Sequence, residues 1–221
     1  MIVLQLSLII VISYIFGALP TAYLVTLFIK RINIFEVGSG NMGGTNVART
    51  MGLHWGIVTS ILDGCKGMAA VAVATHIVPT GDMSLVAAIV AAGTAVAGHN
   101  WSIFATWLFS HYNKTFAIRG GKGAATAFGT MIMLVPIEAW ILLLVIGITL
   151  AVITRYASLS VLVSFAFALA YTAVWAIENN DISLFYIPYV IMLTILIVWR
   201  FRENIQRLAT GTERKLGERV A

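Results

Sequence analysis

Apolar runs of membrane-spanning length dominate the chain, and its polar residues gather in short stretches between them. A helix needs about 20 apolar residues to cross the hydrocarbon core. Six runs suit that requirement: 2–29, 53–78, 83–107, 137–153, 159–177 and 183–199. A seventh segment, 123–135 (GAATAFGTMIMLV), is short and rich in Gly, Ala and Thr. It either joins the next run as one span kinked at Pro136, or crosses alone with Pro136 in the turn. Lys and Arg mark the cytoplasmic side of membrane spans, and their distribution separates the two cases. With seven crossings, Lys30, Arg31, Arg49, Lys114, Arg119, Lys122, Arg155, Arg200, Arg202, Arg207, Arg214, Lys215 and Arg219 share one side. The other side holds Asp82, Glu138, Glu178 and Asp181, and Lys66 lies within the second span. With six, Arg155 and the basic tail would face away from Lys30 and Lys122. The sequence therefore predicts an all-α polytopic membrane protein of seven transmembrane helices, with the N-terminus outside and the C-terminus cytoplasmic. It forms a single domain over 1–221, of which 200–221 is a basic cytoplasmic tail. A 13-residue span is only about 20 Å long at 1.5 Å per residue. Neighbouring helices must shield it, and its small residues allow that approach.

Composition identifies the solvent. The 221 residues are 60% hydrophobic and 10% charged, against about 25% charged in soluble domains. So few polar groups cannot cover a water-facing surface. A net charge of +5 can signal nucleic acid, but here the basic residues cluster at the ends of apolar runs, where they set membrane orientation. Cys65 is the single cysteine, which excludes an intrachain disulfide, and no Cys/His cluster points to a metal. The apolar start lacks a basic n-region and a convincing small-residue cleavage site, so it is expected to be a retained span.

Sidedness places four polar stretches together at the cytoplasmic face: 36–52, 110–122, 154–160 and 200–221. The first contains Val37-Gly-Ser-Gly-Asn-Met-Gly-Gly-Thr-Asn-Val-Ala-Arg49. Its glycines (Gly38, Gly40, Gly43, Gly44) let backbone N–H groups turn towards a ligand, and such nests bind anions. Ser39, Asn41, Thr45 and Asn46 add neutral donors, and Arg49 offers a fork that fits phosphate. A plain connector between spans is the alternative, although connectors seldom carry so many donors. The second stretch ends in Arg119-Gly-Gly-Lys-Gly-Ala-Ala-Thr126. It lacks the spacing of the nucleotide-binding phosphate loop, so ATP hydrolysis is not expected. Arg119 and Lys122 around Gly120, Gly121 and Gly123 suit a phosphate monoester; membrane anchoring with tight helix packing explains them equally.

The remaining polar residues are more ambiguous. His99 lies at the end of an apolar run, where an ionisable group is a functional candidate, although a lone histidine is more often a packing residue. Asp63 and Lys66, at i and i+3, can pair on one helix face in a structural role. Ser158 and Ser160 open a span, where a hydroxyl can cap the helix. Asn204 has no anchoring value at the end of the last span and is more informative than Arg200 or Arg202.

Taken together, these stretches resemble the bacterial PlsY-type acyl-phosphate:glycerol-3-phosphate acyltransferases. The likeness runs through Gly17-Ala-Leu-Pro-Thr-Ala-Tyr23, Gly38-Ser-Gly-Asn-Met-Gly-Gly-Thr-Asn46 with Arg49, Asp63-Gly-Cys-Lys-Gly67, Gly98-His99, Gly120-Gly-Lys-Gly123, Thr154-Arg-Tyr156, Arg202-Glu-Asn-Ile205 and Arg207-Leu-Ala-Thr-Gly-Thr-Glu213. The resemblance implies acyl transfer from acyl phosphate to the 1-hydroxyl of sn-glycerol 3-phosphate, giving lysophosphatidate and phosphate, the first acylation of phospholipid synthesis. It implies a multi-pass protein of the bacterial inner membrane with a cytoplasmic-face site. Its partners would be the two substrates and the bilayer, with no nucleic acid, no obligate protein partner, no cofactor and no metal. Ser39, Gly40, Asn41, Gly43, Gly44, Thr45, Asn46 and Arg49 would bind acyl phosphate. Lys122, Arg119, Gly120, Gly121, Gly123, Ser158, Ser160, Asn204 and His99 would bind glycerol 3-phosphate. Arg49, Ser39, Asn204 and Lys122 would carry catalysis. The chain departs from the family pattern at Phe201, where a histidine is usual, at Gly44, where alanine is usual, and by roughly ten extra residues around 106–115. A relative with an altered acceptor, or a small anion transporter, are the alternatives.

Overall fold

The computed structural model describes residues 1–218, with residues 180–184 described by backbone alone. Arg219 and the side chain of Asp181, which enter the charge distribution above, lie outside the described residues. The fold is all-helical, with no strand among the described residues. Its helices are α1 (Ile2–Ala18), α2 (Thr21–Lys30), α3 (Gly44–Met51), α4 (Leu53–Ile77), α5 (Asp82–Asn100), α6 (Ile103–Asn113), α7 (Ala124–Leu134), α8 (Ile137–Thr154), α9 (Ala157–Glu178) and α10 (Asn180–Ala209). A short 3-10 turn, Ile34–Glu36, precedes α3. Six helical segments are long and apolar enough to cross a membrane, and α7 is a shorter apolar helix. Large apolar side chains stand exposed along them, among them Phe28, Val152 and Ile153, as expected where lipid is the solvent.

The chain divides into two compact units, one of Met1–Thr130 with the end of the chain from Gly217, and one of Met131–Leu216. In the first, α1 packs on α5 and α4, and α3 packs on α4. The α1–α5 crossing is backbone against backbone: a Cβ at Gly17 would overlap the Ala95 carbonyl. The first apolar run is not one continuous helix. Pro20 has no N–H and clashes with a preceding turn, so α1 stops at Ala18 and α2 starts at Thr21. The carbonyls this break releases find polar partners: Ser102 Oγ donates to Ala18 O, and Lys66 Nζ donates to Leu19 O at 3.0 Å. Lys66 also pairs with Asp63 at 2.8 Å, one turn earlier on α4.

The third run likewise ends early. α5 closes at Asn100, and Ser102 caps a new helix, α6, by accepting from the Ala105 N–H at 3.1 Å. The extra residues expected in a polar link are therefore largely helical. α7 is separate from α8, with Pro136 at the N-cap of α8. The start of α7 lies against α4 at glycines: a Cβ at Gly67 would overlap the Thr126 carbonyl, and one at Gly129 the Gly64 carbonyl. In the second unit, α9 packs on both α8 and α10. Tyr186 of α10 donates its hydroxyl to Leu134 O at the end of α7. α10 continues unbroken from the membrane-length segment to Ala209, so the first part of the basic tail is helix.

Candidate functional site

The loop from Val37 to Gly43 owes its shape to two positive-φ glycines, Gly38 (φ 64°) and Gly40 (φ 65°), a conformation glycine adopts without steric cost. Asn46 holds the loop from inside. Its Oδ1 accepts from the Ser39 N–H at 2.9 Å, and its Nδ2 donates to Val37 O at 3.1 Å and Asn41 O at 3.2 Å. The side chain is buried, so it shapes the cradle from within. Gly43 is the extended N-cap of α3, and the positive end of that helix opens into the loop. Ser39 and Thr45 are exposed, Asn41 and Arg49 half-buried. Arg49 stands in the last turn of α3. Gly44 marks where α3 meets α4, since a Cβ there would overlap Ser60 Oγ.

The second glycine loop lies directly beside the first. The Gly121 N–H donates to His99 O at 2.9 Å. A Cβ at Gly121 would overlap both His99 Nε2 and the Met42 carbonyl oxygen. The two glycine-rich loops thus touch at Met42 and Gly121, with His99 at the same point. Gly120 passes equally close to the Asn100 carbonyl, and Gly123 (φ 77°) leads into α7. Lys122 is half-buried between them. The Arg119 guanidinium stacks 3.8 Å from the centre of the Phe109 ring on α6, and the Arg119 backbone N–H donates to Thr106 Oγ1 at 3.0 Å.

His99 is buried, with Nδ1 3.5 Å from Asp63 Oδ1. The same Asp63 oxygen takes Lys66 and the Thr21 hydroxyl. The sequence made Asp63 and Lys66 a structural pair; the structure extends that pair to His99 and, through it, to Gly121.

Ser158 and Asn204 meet in the second unit, on a carboxylate that the sequence reading did not include in the site. Glu213 Oε1 accepts from Asn204 Nδ2 at 2.7 Å and Ser158 Oγ at 2.9 Å, while Oε2 accepts from Arg207 Nε at 2.7 Å. The chain reverses after α10 through Thr210 and Gly211 (φ 69°), which returns Glu213 to Arg207. Thr-Gly-Thr between those two residues is turn composition, and was the available signal. Burial pushes the Glu213 carboxyl up, and the hydrogen bonds from Arg207, Ser158 and Asn204 outweigh it, holding the group below the usual carboxylate range. Ser158 therefore serves this cluster and does not cap α9. Ser160 donates to Tyr156 O at 2.9 Å and is buried. Phe201 is buried as well.

Comparison with known proteins matches this architecture. A family model described as glycerol-3-phosphate acyltransferase matches residues 7–211. A glycerol-3-phosphate acyltransferase of Halalkalibacterium halodurans is 38% identical over 94% of this chain and 93% of its own. Glycerol-3-phosphate acyltransferase 3 of Dehalococcoides mccartyi strain 195 is 35% identical over 99% of each chain. Among solved structures, PlsY (YgiH), an integral membrane glycerol 3-phosphate acyltransferase crystallised in its glycerol 3-phosphate form, superposes with a TM-score of 0.78 at 25% identity over 96% of each chain. With both loops inside the matched region and near-complete coverage of relatives, the chain belongs to the glycerol-3-phosphate acyltransferase family.

Proposed function

We propose that the protein transfers a fatty acyl group from acyl phosphate to the 1-hydroxyl of sn-glycerol 3-phosphate, at the cytoplasmic face of a bacterial inner membrane. The observation that carries this is the contact of two glycine-rich, cation-bearing loops at Met42 and Gly121. Both substrates carry phosphate, and the reaction must hold the two close together. Exposed Ser39 and Thr45, Asn41 and the amides at the start of α3 form a donor set for the acyl-phosphate head group. Arg49, at the other end of α3, supplies the fork that charge-assisted phosphate binding favours. Lys122 takes the acceptor's phosphate as a point charge.

In the transfer, the acceptor hydroxyl oxygen bonds to the acyl carbonyl carbon. The carbon–oxygen bond to phosphate then breaks, and the hydroxyl proton passes to a phosphate oxygen. Acyl phosphate is already activated, so no covalent enzyme intermediate is needed. Fixed donors around the developing charge supply the stabilisation, with Arg49 and Ser39 at the departing phosphate. Asn204 and Ser158 are held by Glu213 within the second unit. Seven crossings support the same side for both loops, with α7 as the short span and the N-terminus outside.

The test is steady-state kinetics on Arg49→Ala and Lys122→Ala in purified protein. Arg49→Ala is expected to lose kcat with acyl phosphate by about a hundredfold or more. Lys122→Ala is expected to raise KM for glycerol 3-phosphate more than KM for acyl phosphate. Wild-type activity in both variants would reject the assignment. Buried Phe201, at a position where the resemblance implies histidine, favours a second reading in which the acceptor is another phosphorylated polyol. An acceptor panel separates the two.

A further inference from the structure

The donors assigned above leave unexplained a buried polar network inside the first unit. Thr21, Asp63, Lys66 and His99 come from α2, α4 and α5 and meet on one carboxylate oxygen. Asp63, Lys66 and His99 are each at most 5% exposed. Buried ionised groups are expensive unless paired, and neighbouring apolar positions on these helices show that hydrophobic packing was available. The network ends at a point of functional geometry. The far nitrogen of the imidazole, Nε2, abuts Gly121, so closely that no side chain fits there. The His99 carbonyl accepts the Gly121 N–H at 2.9 Å. The Met42 carbonyl of the first loop crowds the same Cβ position of Gly121.

We propose that Asp63 and His99 form a buried positioning pair that sets the spacing between the two phosphate loops through Gly121. Asp63 is anchored by Lys66, which is itself tied to the Leu19 carbonyl released by the Pro20 break. The Asp63 carboxylate faces the imidazole Nδ1 at 3.5 Å, Nε2 packs against Gly121, and the His99 carbonyl holds the Gly121 N–H. Lys122 follows directly in the chain, so its placement depends on this brace. Misplacing a substrate by about 1 Å can lower a rate by two orders of magnitude, so a rigid brace matters more here than an additional donor. The kinetic part of this inference rests on the acyl-transfer function proposed above.

The experiment compares His99→Asn with His99→Gln in the full-length protein. Asparagine places an amide where Nδ1 lies, which retains the Asp63 partner, but does not reach Gly121. Glutamine extends to the Nε2 position. His99→Asn is expected to raise KM for glycerol 3-phosphate on the order of tenfold, with KM for acyl phosphate changed much less, and His99→Gln to recover part of the loss. Hydrogen exchange in peptides covering residues 119–124 is expected to quicken in His99→Asn and to be partly restored in His99→Gln. Unchanged exchange there, or an equal rise in both KM values accompanied by a lowered Tm, would overturn the proposal. If the wild-type protein does not acylate glycerol 3-phosphate, the functional assignment fails, and the exchange measurement still decides the brace by itself.

Discussion

Arg49 and Asn46 lie three residues apart on α3, and Asn46 is the one bonded into the loop that precedes it. Arg49→Lys keeps the charge but loses the planar fork. It is expected to retain KM for acyl phosphate within a few-fold and to lose about tenfold or more in kcat, read by steady-state kinetics. Asn46→Ala removes partners from the Ser39 N–H and from the Val37 and Asn41 carbonyls. Leaving buried polar groups unmatched costs about 1–3 kcal/mol, so a lower Tm is expected together with weaker acyl-phosphate binding. The glycine positions of this loop were legible as turns because glycine adopts positive φ without steric cost, as Gly38 and Gly40 do. The direction of the Asn46 carboxamide was not, because a list of donors does not say which of them the loop uses on itself. Glu213 was hidden for the related reason that its partners are up to 55 residues away in sequence. Because its carboxyl is held below the ordinary value of about 4.3, its contribution to stability is present above that pH. It is lost as pH falls through the lowered folded value. Glu213→Gln is therefore expected to flatten the acid limb of a Tm-against-pH profile, and a wild-type-like acid limb in that variant would contradict it.

At the scale of helices, the apolar runs located every membrane-length segment, while the breaks inside them went unseen. Pro20 carried a signal that hydrophobic length obscured; the Trp101–Ser102 break carried only the N-capping preference of serine. Both breaks free backbone groups that find polar partners elsewhere: Lys66 Nζ donates to Leu19 O at the first, and the Tyr14 hydroxyl donates to Trp101 O at the second. The contact of α3 with α4 was also invisible, because glycine in the motif was read for its turn and its N–H groups. Gly44→Ala introduces the residue usual in the resembled family at a position where Ser60 Oγ and the Gly56 carbonyl together leave no space. Overpacking of this kind costs about 1–3 kcal/mol. A lowered Tm is expected, and Ser60→Ala in the same chain is expected to recover part of it. Additive effects of the two substitutions would show that they do not share this contact.

For the whole molecule, the charge distribution predicts that the two glycine loops share one face of the membrane. The charge distribution predicts seven crossings; α7 and α8 are separate helices on either side of Val135 and Pro136, and α7 is shorter than the six membrane-length segments. With Cys65 replaced, single cysteines at Ser39, Lys114, Asp82 and Glu138 test it in intact and permeabilised cells. Those at 39 and 114 are expected to react with an impermeant maleimide only after permeabilisation, and those at 82 and 138 before it. Labelling of positions 114 and 138 from the same side would remove α7 as a crossing. The chemistry proposed for these loops is acyl transfer between two phosphate-bearing substrates. Its most direct measurement is phosphate release from palmitoyl phosphate by the purified wild-type protein, with and without glycerol 3-phosphate, with the lipid product quantified in parallel. Release is expected to depend on glycerol 3-phosphate and to be matched one-for-one by lysophosphatidate. Release indifferent to the acceptor, or no lysophosphatidate at any acceptor concentration, would contradict it.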